Sequence, residues 1–264
     1  MGAVYAISNQ TGGVGKTTTA INLAACAAEG GAQTLLVDLD PQCNATVALG
    51  ASRGATPSSY DCLCGEVSVA EAARPAGPDN LWLVPASDDL AGASVELPRI
   101  EHSETSLRER LGPVRERFRY TILDCPPSLG PVTVNALTAA DRVIVPVQAE
   151  YLALEGLVQF LDTLALVRRQ LNPSLELSGL IITMHDERTR LSLDVERELR
   201  RHFGELVYET VIPRSVKLAE SPSYGEPVIA HAPASRGAEA YRALAREIAA
   251  REAASAHLGA EEAA

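Results

Sequence analysis

The sequence predicts an α/β fold in which a mostly parallel, twisted sheet carries helices on both faces. Short apolar runs rich in β-branched residues alternate along the chain with amphipathic stretches of helical period. Strands that are buried on both faces have this composition, and their alternation with helices indicates right-handed βαβ units. The chain has 264 residues, of which 46% are hydrophobic, so it can bury a sizeable core. We expect one domain over residues 1–253 and a short, frayed tail over 254–264.

The predicted elements follow one another in a regular order. The first strand, Val4–Ile7, leads into a glycine-rich loop, and a helical pattern begins beyond that loop near Ile21. Further strands are predicted at 34–37, 81–84, 120–123, 143–147, 179–183 and 206–208. Long helices are predicted at 152–171, 191–202 and 238–253. Residues 51–79 are rich in Gly, Pro and Ser, so we expect them to form an excursion on the surface.

Composition narrows the class of protein. No apolar run approaches the length of a membrane span, and no basic region precedes Val4 as in a secretory signal, so we expect a cytoplasmic protein. Five scattered cysteines are expected to be reduced thiols. A net charge of −11 opposes general attraction to nucleic acid. Only two of the 23 basic residues are lysines, Lys16 and Lys217, which singles out Lys16 as a position where arginine cannot serve.

The residues from Asn9 to Thr19 have the composition of a phosphate-binding loop between a strand and a helix. Glycines allow backbone N–H groups to turn toward an anion, and the start of a helix adds its positive end. The Lys16 ammonium is expected to reach the β- and γ-phosphates, and the Thr17 hydroxyl to hold Mg²⁺. The predicted phosphate-binding residues are Gly12, Gly13, Val14, Gly15, Lys16, Thr17 and Thr18. Gln10 stands where the strict form of this loop has its first glycine.

Aspartates follow two other predicted strands. Asp38 directly follows the strand at 34–37, and Asp40 comes two residues later. Asp124 directly follows the strand at 120–123. The carboxyl ends of strands form the ligand site of an open α/β sheet, and an aspartate after a hydrophobic strand is the Walker B arrangement for Mg²⁺. Because residues i and i+2 share one face of a strand, one acid of the first pair can contact the metal shell while the other orients the attacking water.

Four longer motifs extend this pattern. They are Asp-Leu-Asp-Pro-Gln-x-Asn-Ala-Thr at 38–46, Asp-Cys-Pro-Pro-Ser at 124–128, Val-Pro-Val-Gln-Ala-Glu-Tyr-x-Ala-Leu-Glu-Gly at 145–156 and Val-Ile-Pro-Arg at 211–214. With these motifs the chain resembles the ParA/Soj ATPases that partition chromosomes or plasmids. Those proteins belong to the MinD/ParA group, whose phosphate loop has the deviant form Lys-Gly-Gly-x-Gly-Lys-[Ser/Thr]. The resemblance extends from about Val4 to Ala249.

The resemblance implies a single P-loop ATPase domain that binds ATP and Mg²⁺ and forms an ATP-dependent homodimer with nucleotide between the subunits. It also implies non-specific DNA binding, hydrolysis stimulated by a ParB/Spo0J-type centromere-binding partner, and nucleoid association. By resemblance, Asp40 positions the attacking water and belongs to the metal site, together with Thr17 and Asp124. Pro213 and Ser215 fall where the family contacts adenine, although relatives commonly carry Asn at the position of Ser215.

Three basic residues match the DNA-binding positions of that family: Arg188, Arg214 and Lys217. A phosphate contact needs only exposed positive charge, which either residue type supplies. The segment from His185 to Lys217 contains seven basic and seven acidic residues, so it is basic only relative to the rest of the chain. A solvated face held by ion pairs is the alternative interpretation.

Thr11 departs from the family pattern. The family places a signature lysine directly before the paired glycines, and this lysine crosses the dimer interface to the partner's phosphates. An arginine finger with the same task accelerates other NTPases by about 10³–10⁵. Thr11 is neutral and too short for that reach. We therefore predict that Lys16 preserves nucleotide binding, whereas hydrolysis and ATP-dependent dimerisation are weak or altered.

Three other functions compete with this interpretation. A MinD-like membrane ATPase ends in a basic amphipathic helix, whereas the residues after Arg251 are acidic and weakly apolar. A redox ATPase similar to the nitrogenase iron protein needs two cysteines placed to share a cluster, and Cys125 lacks a suitable second cysteine in the sequence. A ParA-like nucleotide-switch scaffold without hydrolysis is the alternative that Thr11 favours.

Overall fold

The computed structural model describes residues 2–150 and 153–262. Within these ranges seven strands form one sheet: β1 (Ala3–Ile7), β2 (Thr34–Asp38), β3 (Arg74–Pro75), β4 (Leu81–Val84), β5 (Tyr120–Asp124), β6 (Arg142–Gln148) and β7 (Glu176–Thr183). Their order across the sheet is β3-β4-β2-β5-β1-β6-β7. All neighbouring strands are parallel except β3, which is antiparallel to β4. The predicted α/β class with a mostly parallel sheet is therefore confirmed.

Helices cover both faces of the sheet, and each face has its own apolar core. One face carries α1 (Lys16–Glu29), α2 (Asn44–Ala48), α10 (Val216–Glu220), α11 (Val228–His231) and α12 (Arg236–Glu262). The other carries α3 (Ser59–Cys64), α4 (Val69–Ala72), α5 (Leu90–Glu96), α6 (Ser106–Leu111), α7 (Pro131–Ala139), α8 (Ala153–Gln170) and α9 (Arg190–Phe203).

Strand β1 shows why the central runs are apolar throughout. Val4 and Ala6 contribute to one core, whereas Tyr5 and Ile7 contribute to the other, and all four side chains are buried. Successive strand residues point to opposite faces, so a strand with helices on both sides favours apolar residues at successive positions.

Residues 51–79 lie mostly at the surface, as predicted, but they contain short helices that pack against the core. Two capping boxes, at Ser58 and Ser68, begin the short helices α3 and α4. These helices bury Cys62 and Val69 in the core, and the Ser59 hydroxyl donates to the backbone oxygen of Asp38 at 2.6 Å. Glycine and proline in this segment thus separate short helices that pack against the sheet.

The predicted strand at 206–208 is also absent from the described structure. A single bridge joins Leu180 of β7 to Val207. The Arg251 guanidinium donates to the backbone oxygen of Val207 at 3.2 Å, and that of Arg200 donates to the Tyr208 oxygen at 3.3 Å. Side chains thus satisfy the carbonyl groups that a sheet ladder would otherwise use.

Helix α12 is fastened to the amino end of the sheet by Glu252. Its carboxylate accepts hydrogen bonds from Tyr5 at 2.6 Å, Tyr120 at 3.0 Å, Arg119 at 3.2 Å and Arg142 at 3.3 Å. The helix continues to Glu262, and fraying over 254–264 stays a prediction. Among the described helices, none is long and apolar enough to cross a membrane.

Candidate active site

A cavity of about 460 Å³ opens at the carboxyl ends of the parallel strands. Most of the residues predicted to bind nucleotide lie along its wall, and Arg214 lies there with them. The predicted residues in the lining are Gly13, Gly15, Lys16, Thr17, Thr18, Asp40, Pro213 and Ser215. Thr11, Gly12, Val14 and Asp124 do not line the cavity, and neither do Arg188 and Lys217.

The loop between β1 and α1 is held open from both ends. Gly13 and Gly15 have φ angles of 75° and 87°, in the left-handed region where glycine is unstrained. The Asn9 side chain donates to the Pro146 oxygen at 2.7 Å and accepts from the Thr11 N–H at 3.0 Å. The Thr183 hydroxyl donates to the buried Val14 oxygen at 2.8 Å. These contacts fix the loop in place before any ligand binds.

Lys16 is the first residue of α1, and its ammonium lies inside the loop. The ammonium donates to the Thr11 backbone oxygen at 2.7 Å, and the residue is only 6% exposed. Burial lowers the pKa of Lys16, and the nearby carboxyls of Asp124 and Asp40 oppose this shift. A partly desolvated cation that is held by one neutral oxygen suits an incoming phosphate group.

Asp38 has a different role from the one the sequence suggested. Its carboxylate is fully buried and accepts three hydrogen bonds, from the Thr46 N–H at 2.8 Å, the Thr46 hydroxyl at 2.7 Å and the Asp40 N–H at 3.1 Å. Burial raises its pKa to about 6, against these three donors. Asp38 therefore anchors the turn after β2, and Asp40 is the acid that lines the cavity.

Asp124 lies beside Asp38, because these two residues are register partners on neighbouring parallel strands. It is fully buried, and neither carboxylate oxygen has a hydrogen-bond partner among the described residues. Burial, followed by repulsion from Asp38, raises the pKa of Asp124 well above its usual value.

Such an unsatisfied carboxylate is costly unless a ligand completes it. Asp40, also buried, accepts one hydrogen bond within the described structure, from the Gln42 N–H at 2.9 Å. Two carboxylates and the Thr17 hydroxyl form the oxygen donor set that suits a hydrated Mg²⁺ ion. The residues present therefore fit the predicted metal.

Thr11 is turned toward α8. A Cβ atom built on Gly156 of α8 would lie 2.7 Å from the Thr11 hydroxyl oxygen. The neighbouring Gln10 side chain donates to the Gly156 oxygen at 3.0 Å and to the Gln159 side chain at 2.8 Å. The entry to the loop is thus attached to α8 of the same subunit at the position of the signature lysine.

The far end of the cavity is formed after β7. A parallel bridge joins His185 to Pro213, which places Pro213 and Ser215 on the wall. Sequence reasoning missed Thr183, Met184 and Tyr241 at this end, and Gln42 and Asn44 near Asp40. Gln42 and Asn44 belong to the motif at 38–46 and could have been chosen from it, whereas Thr183 becomes visible only through the strand order.

The three predicted DNA-binding residues lie outside the phosphate loop, and each has an acidic neighbour. The Arg188 guanidinium donates to Asp186 at 2.8 and 2.9 Å and thereby lowers the pKa of that carboxyl. Lys217 lies 2.8 Å from Glu220, and Arg214 lies 4.0 Å from Glu150. All three side chains are more than half exposed, so their ion pairs are weak and can exchange.

Comparison with known proteins places this geometry in a family. The AAA domain family matches residues 2–177. A chromosome-partitioning ATPase Soj from Thermus thermophilus is 54% identical over 93% of this chain and 95% of its own length. The sporulation initiation inhibitor protein Soj from Bacillus subtilis is 49% identical over 95% of this chain and 99% of its own length.

A solved structure from Mycobacterium smegmatis is 40% identical and covers 93% of each chain, with a TM-score of 0.82. It is described as a cobyrinic acid a,c-diamide synthase with bound ATP analogue and magnesium. Thus the chain matches partitioning ATPases in sequence and a nucleotide-bound protein in fold.

Proposed function

Because this chain belongs to the Soj/ParA family of chromosome-partitioning P-loop ATPases, we propose that it binds ATP and Mg²⁺ and uses them to control dimerisation. The dimer binds DNA non-specifically and acts with a ParB/Spo0J-type partner in chromosome segregation. We further propose that the protein is cytoplasmic and nucleoid-associated. Hydrolysis of ATP to ADP and phosphate is weak because of Thr11.

The unsatisfied Asp124 carboxylate is the observation that supports ATP·Mg²⁺ binding most strongly. A buried acid without a hydrogen-bond donor is explained if it accepts from water on a bound metal ion. Thr17 supplies the direct hydroxyl ligand, and Asp40 completes the metal site. When bound, Mg²⁺ neutralises charge on the β- and γ-phosphate oxygens.

Residues of the loop and of the cavity wall bind the phosphates, orient the attacking water and contact the base. The Lys16 ammonium leaves the Thr11 oxygen, its only hydrogen-bond acceptor among the described residues, and binds phosphate instead. Asp40 accepts a hydrogen bond from the attacking water and orients it, since Gln42 occupies only one of its oxygens. Pro213 and Ser215 contact the base at the far end of the cavity.

Thr11 is the reason to expect weak turnover. Its side chain is uncharged and is directed at Gly156 of the same subunit, so it supplies no cation to a partner's phosphates. Loss of such a cation costs other NTPases about 10³–10⁵ in rate. A non-hydrolysing nucleotide-switch scaffold is the second candidate function, and the same residue favours it.

DNA binding is proposed to depend on the dimer. Arg188, Arg214 and Lys217 are each near an acidic residue, so one subunit offers little free positive charge. Two copies of the cluster on one DNA gain affinity through effective concentration. The measured affinity should then fall steeply with salt, and Arg188→Gln should reduce the slope of log K against log salt by about 1.

Size-exclusion chromatography with light scattering tests the proposal on the wild-type chain, Thr11→Lys and Lys16→Ala. Wild type should bind ATP·Mg²⁺ and dimerise weakly, Thr11→Lys should dimerise strongly and hydrolyse faster, and Lys16→Ala should do neither. Identical dimerisation and turnover of wild type and Thr11→Lys would show that our account of position 11 is wrong. Sedimentation with anionic vesicles addresses the MinD-like alternative, and binding to the vesicles would contradict a DNA-directed role.

A further inference from the structure

A second cavity, of about 500 Å³, lies between α1 and α12. Helix α1 begins at the phosphate loop with Lys16, and Cys26, Ala27 and Glu29 near its end line this second cavity. Tyr120, the first residue of β5, also lines it. The cavity therefore lies at the amino end of the sheet, opposite to the candidate active site.

The interior of this cavity is apolar. Leu23 of α1, Ile122 of β5 and Ile248 of α12 contribute aliphatic side chains to the lining. The rings of Tyr5 and Tyr120 also line it, while both hydroxyls are engaged by Glu252. The rings therefore present apolar surface, and a volume of this size falls in the range of small-molecule sites.

The mouth of the cavity is positively charged. Three guanidinium groups line it, from Arg119, Arg242 and Arg246, against the single carboxylate of Glu29. Arg242 holds Glu29 through two contacts of 2.7 Å, which leaves that carboxylate neutralised. Arg246 is exposed and forms no ion pair with the side chains that the structure describes in residues 2–150 and 156–255. The charge at the mouth is therefore opposite in sign to the net charge of the whole chain, which is −11.

Arg119 lies at the same mouth, where Tyr120 and Glu252 position its guanidinium. Its guanidinium lies 4.9 Å from the Tyr120 ring centre and 3.2 Å from Glu252. Glu252 is also satisfied by Tyr5, Tyr120 and Arg142, so it does not depend on Arg119 for a partner. Arginine binds carboxylates through paired N–H donors, which favours an anion of that geometry.

We propose that this cavity binds a small amphipathic carboxylate, such as a medium-chain acyl carboxylate. The apolar body of the ligand packs against Leu23, Ile122 and Ile248, and its carboxylate accepts hydrogen bonds from Arg246 and Arg119. Burial of the body supplies the affinity, and the guanidinium groups select against neutral and cationic ligands of the same shape.

Decanoate is the probe, and isothermal titration calorimetry below its micellar concentration measures its binding to the full chain. Decanol and decyltrimethylammonium carry the same body without the negative charge. Decanoate should bind saturably at one site and about 10-fold more tightly than decanol, as expected for one charge-assisted hydrogen bond. Absence of saturable decanoate binding, or equal affinity for decanol, would overturn the proposal.

Matched variants locate the site. Ala249 and Ala250 are neighbours in α12, but only Ala249 lines the cavity. Ala249→Leu should weaken decanoate binding, whereas Ala250→Leu should leave it unchanged. Arg246→Gln should weaken decanoate about 10-fold and leave decanol unaffected, while Arg169→Gln on the opposite face should change neither.

A further variant separates this cavity from the candidate active site. Lys16→Ala should bind decanoate as wild type does, because the two cavities lie at opposite ends of the sheet. Loss of decanoate binding in Lys16→Ala would place the ligand in the nucleotide cavity and refute the assignment. Unchanged binding in both Ala249→Leu and Arg246→Gln would refute it as well.

Discussion

Substitution of Gly156 by alanine should have opposite effects on stability in two sequence backgrounds. A Cβ atom at position 156 would lie 2.7 Å from the Thr11 hydroxyl oxygen, which is closer than a relaxed contact allows. The Gln10 side chain holds the loop at this place through its 3.0 Å hydrogen bond to the Gly156 oxygen. Gly156→Ala must therefore displace the Thr11 side chain, the phosphate loop or α8.

Two contributions of opposite sign determine how much Gly156→Ala changes the free energy of unfolding. Replacing glycine by alanine inside a helix stabilises the folded state by about 0.5–1 kcal/mol. Forcing an extra carbon into an occupied space costs about 1–3 kcal/mol. We expect Gly156→Ala to reduce the free energy of unfolding by up to about 2 kcal/mol. In Thr11→Ala the obstructing oxygen is absent, so the same change should increase the free energy of unfolding by about 0.5–1 kcal/mol.

Urea denaturation of wild type, Gly156→Ala, Thr11→Ala and the double variant measures these changes in the free energy of unfolding. Gly92→Ala in α5 is the matched control, since its new Cβ meets only the flexible end of Glu96, at 3.0 Å. The control should be neutral or stabilising in either background. If Gly156→Ala changes stability equally in both backgrounds, within about 0.5 kcal/mol, Thr11 is not packed against α8 and the reasoning fails.

Substitutions of three acidic residues, Glu247, Asp38 and Asp124, test the roles assigned to their carboxyl groups. Burial raises the pKa of Glu247, but two backbone N–H donors outweigh it and hold the pKa below its usual 4.5. A lowered folded pKa gives stability that is present above pH 4.5 and lost at lower pH. The wild-type advantage over Glu247→Gln in urea denaturation should thus shrink on acidification, and an advantage that grows would contradict this sign. Asp38→Ala leaves the three donors around Asp38 without an acceptor and should cost about 3 kcal/mol or more in the same assay; a loss below about 1 kcal/mol would show that Asp38 is not an anchor. Asp124→Asn removes a buried carboxyl whose charged form is disfavoured by burial and by Asp38, so it should raise the melting temperature without ligand and abolish the extra stabilisation that Mg²⁺ adds to ATP; an undiminished Mg²⁺ effect would exclude Asp124 from the metal site.

The sheet and the phosphate loop were predictable because their signals are local. A strand buried on both faces is mostly apolar, and β1, β2 and β5 are so up to the aspartates that end β2 and β5. The loop is recognisable because Gly13 and Gly15 adopt angles that other residues avoid. Neither inference needs knowledge of distant parts of the chain.

The division of labour between Asp38 and Asp40 was not predictable. Both residues share one face of an extended segment, so periodicity treats them alike. The difference arises because Thr46, eight residues after Asp38, folds back and donates twice to Asp38. The contact of Thr183 with the loop likewise depends on the neighbouring β6 and β7 strands, which a local pattern does not contain.

The hydrogen bonds that join Glu252 of α12 to the amino end of the sheet have a consequence for synthesis on the ribosome. Tyr5 emerges early, but its acceptor lies 247 residues later in the chain. At about 5–20 residues per second, the interval is on the order of 10–50 s. During that time the Tyr5 hydroxyl and the Arg142 guanidinium lack the partner they share in the finished protein. Closure of the amino edge of the sheet must therefore be a late event, and the nascent chain passes through a stage in which its first strand is already made but its last helix is still missing.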